Sequence, residues 1–212
     1  MEYKLKKENH DFWVERLKKN HERQVCTNDI AFDDVEDNEI LKRVQSNKSI
    51  LEIGCGNGVL YSKLSNRLDN LSYLGTDFVK DLVNVCEKRS KSKDHNFIQL
   101  DMTDINKSTF DKKYDFIISK RAVQNVLEER LQIQTIENLG HFLKDDGLMI
   151  LVESSATAQN RLNIAREKYN LDKIIPPFHN LFFDDEKIPL STMIQDVLMF
   201  YKYGGKQLYY FN

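Results

Sequence analysis

The chain alternates short apolar runs with longer stretches whose apolar residues recur every three or four positions. Ser49–Ile53 (SILEI) is an apolar run of the length of a buried strand. Residues 58–68 follow with Leu60, Lys63, Leu64 and Arg67 at helical spacing. A second strand over 72–75 runs on to Asp77, and a helix over 79–89 puts Val79, Leu82, Val83 and Cys86 on one face. Further strands are predicted over 96–100, 114–119 and 148–152. Before the last of these, a long helix over 126–143 closes at the Asp145-Asp146-Gly147 turn. Strands separated by helices, with both strand faces apolar, predict an α/β fold with a parallel sheet covered on both sides.

The ends break this rhythm. Residues 1–45 carry a helical pattern around Phe12, Trp13 and Leu17, then the acidic stretch DIAFDDVEDNEIL. They are expected to form a cap or lid and the helix before the first strand, with residues 33–39 as a solvated face. A polar helix over 157–169 leads into IIPPFHNLFFDDEKI, a proline-bounded aromatic loop. The tail MFYKYGGKQLYYF has aromatic runs on either side of Gly204-Gly205, a hairpin signal.

Composition adds limits. The 212 residues suit one domain; 41% are hydrophobic and 30% charged, as in globular chains. A net charge of −2 gives no electrostatic case for nucleic acid. Cys26, Cys55 and Cys86 are far apart with no CxxC pair, so neither a metal centre nor a disulfide framework is expected. The N-terminus has no apolar signal-peptide core, and no stretch reaches membrane-spanning length. A cytoplasmic setting is the expectation.

Candidate chemistry starts at ILEIGCGNG, where Gly54, Gly56 and Gly58 directly follow the first strand. Glycines here let the backbone turn sharply and let a ligand lie against bare main chain, with the next helix aiming its N-terminus at that ligand. The dinucleotide fingerprint GxGxxG would need glycine at position 59, where Val59 stands. The spacing is instead ExGxGxG from Glu52, which resembles the first motif of the class I S-adenosylmethionine-dependent methyltransferases. Asp77 of YLGTDF, Asp101 and Met102 of FIQLDM, and the passage from YDFIIS to FLKDDGLMIL match later parts of that family's pattern in order.

The resemblance covers about half the chain, from Ser49 to Glu153. It implies a Rossmann-like three-layer α/β/α sandwich with a mostly parallel seven-stranded sheet and an antiparallel C-terminal hairpin. It also implies one methyltransferase domain, with a cap over 1–45, a cofactor-binding core over 46–155 and a substrate-side segment over 156–212. The cofactor implied is S-adenosylmethionine, with S-adenosylhomocysteine as product. Asp77 would hold the ribose hydroxyls and Asp101 would meet the adenine amino group. Glu52 would sit near the cofactor's ammonium, and Gly54, Cys55, Gly56, Gly58, Phe78, Met102 and Ser119 complete the cofactor set. Both aspartates could instead serve only as caps.

Residues 119–185 are similar to a bacterial subgroup of small-molecule methyltransferases often associated with surface-saccharide biosynthesis, although the pattern is lost from about residue 191. That similarity implies a small-molecule acceptor, with a saccharide hydroxyl leading. His179 is the candidate general base, a packed histidine being the equal alternative. Arg121, Asn125 and Asn180 are candidate substrate ligands, and Trp13 is an apolar anchor of the lid. Rival readings are an inactive cofactor-binding scaffold, a nucleotide-dependent oxidoreductase, and a methyltransferase for protein or nucleic acid. Oligomeric state stays open.

Overall fold

The computed structural model describes residues 2–184, 197–200 and 208–211. Five strands, β1 (Ser49–Ile53), β2 (Ser72–Asp77), β3 (His95–Gln99), β4 (Tyr114–Lys120) and β5 (Leu143–Val152), form one parallel sheet in the order β3-β2-β1-β4-β5. Six helices surround it: α1 (Glu2–Lys19), α2 (Ile30–Leu41), α3 (Val59–Arg67), α4 (Lys80–Arg89), α5 (Glu129–Gly140) and α6 (Ala156–Lys168). Strand side chains alternate between two cores, as the two-residue period requires. Ile50, Phe116 and Ile118 pack with Leu60, Leu64 and Val83 from α3 and α4. Leu51, Ile53 and Ile117 pack with Ile136 and Leu139 from α5 on the other face. The three-layer arrangement follows from that alternation.

Three details depart from the sequence expectation. α5 ends at Gly140, and the strand already begins at Leu143. Tyr114 pairs with Leu143 and Phe116 with Leu148, so residues 144–147 bulge from the ladder rather than close the helix. Second, one sheet joins five strands, not seven. Val197–Phe200 (β6) and Leu208–Phe211 (β7) pair antiparallel in a sheet of their own. The turn expected at Gly204-Gly205 lies outside the described residues.

The third departure is the acidic helix. Asp33, Glu36, Asp37 and Glu39 of α2 are buried rather than solvated. Cations from three other segments reach them. Lys120 bonds Asp33 at 2.8 Å and also Asp37, Lys63 bonds Asp37, Arg23 bonds Asp33 at 2.9 Å, and Arg121 meets both Asp33 and Glu36. Carboxylates tolerate burial when cations take the place of water around them. The cluster fastens α2 to the residues that end β4.

Candidate active site

The strand order reverses between β1 and β4, because β2 lies on one side of β1 and β4 on the other. A crevice opens at such a point, beyond the carboxyl ends of the strands. The glycine loop after β1 and the Arg121-Ala122 turn after β4 both line a cavity of about 990 Å³ there, near the upper end for small-molecule sites. Helix α1 faces the same space. Lys6 bonds Asp101 at 3.1 Å, Asn9 bonds the Asn125 carbonyl at 2.9 Å, and Trp13 Nε1 bonds Asn125 Oδ1 at 2.9 Å.

The loop's geometry explains its glycines. Gly54 and Gly56 have φ of +70° and +55°, a region that costs other residues steric strain. A Cβ on Gly54 would collide with Ala122 Cβ, and one on Gly56 would lie 2.7 Å from Cys26 Sγ. The bare sides of these glycines therefore face protein. They let the β4 turn and the segment after α1 close in, while Gly54 and Gly56 also line the cavity. Gly58 is the N-cap of α3 and stands behind the cavity wall.

Asp77 holds the loop to β2. Its Oδ2 accepts from the Gly56 amide and its Oδ1 from the Val79 amide, both at 2.9 Å, so it ties the glycine loop to the residue that precedes α4. Burial pushes its carboxyl up to about 6 despite those bonds. Glu52 is pushed by burial to about 7, against a hydrogen bond from the Tyr73 hydroxyl. Asp101 behaves oppositely. Burial would raise it, but the Thr103 hydroxyl and amide and the Lys6 ammonium outweigh that and hold it below its ordinary value. Glu52, Gly54, Cys55, Gly56, Asp77, Phe78, Asp101 and Met102 all line the cavity. Ser119 does not. It is fully buried, and its hydroxyl donates to Glu153 at 2.7 Å.

The substrate-side residues fare unevenly. Arg121 lines the cavity with φ +54°, but its guanidinium is taken up by Asp33, Glu36 and the Thr27 hydroxyl. Asn125 is also spent, donating to the Arg121 carbonyl at 2.8 Å and accepting from Trp13. Neither side chain is offered to a polyhydroxyl acceptor. His179 stacks on Phe12 at 4.0 Å and meets Trp13 edge-on at 5.5 Å. Its Nδ1 is buried without a protein partner, as is Asn180 Oδ1. Burial, then the positive charge of Arg16, lowers the imidazole to about 4, so the ring is neutral at ordinary pH.

Three participants escaped the sequence reading. Glu153, at the carboxyl end of β5, accepts from the amides of Ala122, Val123 and Gln124, besides Ser119. Burial pushes it to about 7, and it shapes the whole β4 turn. An acidic residue closing an apolar strand was its signal, the same one that marked Asp77 and Asp101. Asn9 and Lys6 carried no local signal; their roles come from where α1 docks. Among the described residues, no cluster of His, Cys, Asp or Glu is arranged to hold a metal ion, and no helix is long and apolar enough to cross a membrane.

Residues 44–199 match a family model described as a methyltransferase domain. A malonyl-[acyl-carrier protein] O-methyltransferase from Ilyobacter polytropus is 34% identical over 103 residues, 48% of this chain and 38% of that protein. Its namesake from Bacillus anthracis is 32% identical over 111 residues, covering 51% and 39%. The matches thus span about two fifths of the length of these curated relatives. In structure, the chain is similar to a TehB-like methyltransferase from Corynebacterium glutamicum, with a TM-score of 0.53 and 18% identity over 80% of this chain and 93% of that one. At that identity the likeness speaks to the fold.

Proposed function

We infer the reaction from a plain premise: the chain belongs to the methyltransferase-domain family, the class I enzymes whose methyl donor is S-adenosylmethionine. The reaction we propose is methyl transfer to an oxygen of a small-molecule acceptor. What carries this reading is the convergence of the left-handed glycine loop, Asp77 and Asp101 on one crevice at the reversal of strand order. The donor set suits the cofactor. Asp77 has acceptor capacity left after its two amide bonds, and a carboxylate at the end of β2 is placed for paired ribose hydroxyls. Asp101 and Met102 would flank the adenine, and Glu52 would face the amino-acid end.

When bound, S-adenosylmethionine supplies a methyl carbon on a sulfonium, so an acceptor oxygen gains that carbon, the carbon–sulfur electron pair returns to sulfur, and one proton is left over. This chain's residues then have two tasks. The first is alignment, since holding reacting atoms in near-attack geometry lowers the barrier by several kcal/mol, on the order of 7–11 in well-oriented systems. The Glu153-shaped turn and lid helix α1 supply it. The second is the proton. His179 is the base: neutral, cavity-lining and with Nδ1 unpaired. Both curated relatives are O-methyltransferases by name, which supports oxygen as the acceptor atom.

The finer readings of organisation belong to this proposal as well. α1 and α2 act as the lid, residues 46–155 as the cofactor-binding core, and residues beyond 156 as the substrate side.

Calorimetry with S-adenosylhomocysteine and, separately, NADH tests the reading. Binding of the first at micromolar concentration and none of the second is expected. The reverse would establish the oxidoreductase alternative. Tight binding with no methylated product from any acceptor would favour the scaffold.

A further inference from the structure

The cavity has two chemically different halves. Its cofactor half, at the ends of β1, β2 and β3, holds the carboxylates of Glu52, Asp77 and Asp101. Its other half lies beyond β4 and β5. There Leu127 and Leu131 come from the start of α5 and the segment before it, Leu162 from α6, and Pro177 and Phe182 from the loop that follows α6. Phe12 and Trp13 of the lid also line it. The mouth is apolar too: Ile175 lines the cavity at 81% exposed, and Phe178, next to His179, is 61% exposed.

Several polar groups that line this half are already used, and Arg161 of α6 stands at its exposed edge. Gln159 donates to the Ile174 carbonyl at 2.8 Å, and Asn125 and Arg121 are bonded within the protein. A saccharide carries a hydroxyl on nearly every carbon, and each one buried without a partner is costly. Among the buried polar atoms here, His179 Nδ1, Asn180 Oδ1 and Asn9 Oδ1 have no protein partner. Asn9, Phe12 and Trp13 share one face of α1, and His179 contacts both aromatic rings of that face. A flat ring entering beside Phe12 and His179 would bring one hydroxyl to the cavity edge of the imidazole.

Resting on the methyltransferase reading, we propose that the acceptor is an apolar aromatic molecule presenting a single phenolic hydroxyl, not a saccharide. The base fits that choice. An imidazole lowered to about 4 is a weak base, so it works best on an acidic hydroxyl. A phenol ionises near 10, whereas an unactivated hydroxyl ionises closer to water, at about 15.7. In the transfer the phenol proton passes to the His179 imidazole as the oxygen takes up the methyl carbon and the carbon–sulfur electron pair returns to sulfur.

Trp13 is the chain's only tryptophan and lines this half, so its fluorescence reports occupancy directly. The test titrates 4-butylphenol and methyl glucoside into the protein saturated with S-adenosylhomocysteine. Leu127→Gln and Leu162→Gln, both at half-buried positions, serve as variants. The phenol should bind at least about tenfold more tightly than the glucoside, and each variant should weaken it about fivefold while S-adenosylhomocysteine affinity stays within about twofold. Equal or tighter glucoside binding overturns the proposal, as does phenol binding that neither variant moves. Failure of the wild-type protein to bind S-adenosylhomocysteine is a separate outcome, and it removes the methyltransferase reading beneath.

Discussion

Asp115 and Asp77 belong to the same parallel sheet and point to opposite fates. Asp115 lies at the amino end of β4, where its carboxylate accepts from Ser49 N–H at 2.9 Å, Ser49 Oγ at 2.7 Å, Lys144 at 2.8 Å and Lys48 at 3.2 Å. Burial would raise it, but the Lys144 and Ser49 bonds, with Lys48, outweigh that and hold it far below the usual carboxylate range. Asp77 closes β2 at the carboxyl end with two backbone amides and no cation, and burial leaves it at about 6. Glu52 and Glu153 at that end sit near 7 for the same first reason. At Asp115 bonds and cations outweigh burial, as Thr103 and Lys6 do at Asp101, whereas burial prevails at Asp77, Glu52 and Glu153. Carboxylates raised by burial cluster at functional sites, and Asp77 and Glu52 line the cavity.

The two ends carry opposite pH signs. Asp115 binds fewer protons folded than unfolded, so its stability contribution is present above the ordinary aspartate value and lost as pH falls below it. Asp77 binds more protons folded between about 4 and 6, so its contribution is lost as pH rises through about 6. His179 is lowered to about 4, so stability also falls as pH drops from about 6.5 toward 4.

The largest effect should come from destroying the carboxyl end outright. Gly54→Val forces a branched side chain into φ +70° and against Ala122. Strain of about 1–3 kcal/mol plus the collision should abolish S-adenosylhomocysteine binding in calorimetry, a loss beyond about 100-fold. Next comes Asp115→Ala, which strips partners from Lys48, Lys144 and Ser49. It should cost about 2–3 kcal/mol in urea unfolding. Its cofactor affinity should stay within about twofold, and any larger change would blur the contrast between the two ends.

How far sequence carried this contrast is instructive. The glycine loop, Asp77 and Asp101 were legible because their spacing and their place at strand ends are local properties of the chain. The buried acidic face of α2 was not, because its partners Lys63, Lys120 and Arg121 are distant in sequence and only the fold assembles them. Ser119 was misread for a related reason. It has the strand-end position of a ligand, but Glu153 takes its hydroxyl. The strand period was read correctly, yet the start of β5 was missed because the bulge at 144–147 resembles a turn.

A milder effect should follow from loosening the contact between α1 and Asp101. Lys6→Met removes the cation beside Asp101 and leaves the Thr103 bonds in place. A half-exposed pair of this kind contributes under about 1 kcal/mol, so cofactor affinity should change by no more than about threefold. A stopped-flow measurement of S-adenosylhomocysteine release should show the change in the off-rate.

The comparison is tested most directly by measuring S-adenosylhomocysteine affinity at pH 5.0 and pH 7.5 in the wild-type protein and in Asp77→Asn. On the proposed role of Asp77, ribose hydroxyls donate to its charged carboxylate, so binding should draw its proton off. Wild-type affinity should therefore rise about tenfold across that interval, in keeping with a group that ionises near 6. Asp77→Asn should bind about 10–30-fold more weakly at pH 7.5 and show little of that rise. Wild-type binding that is flat with pH, or a variant that binds and titrates like the wild type, would contradict the account.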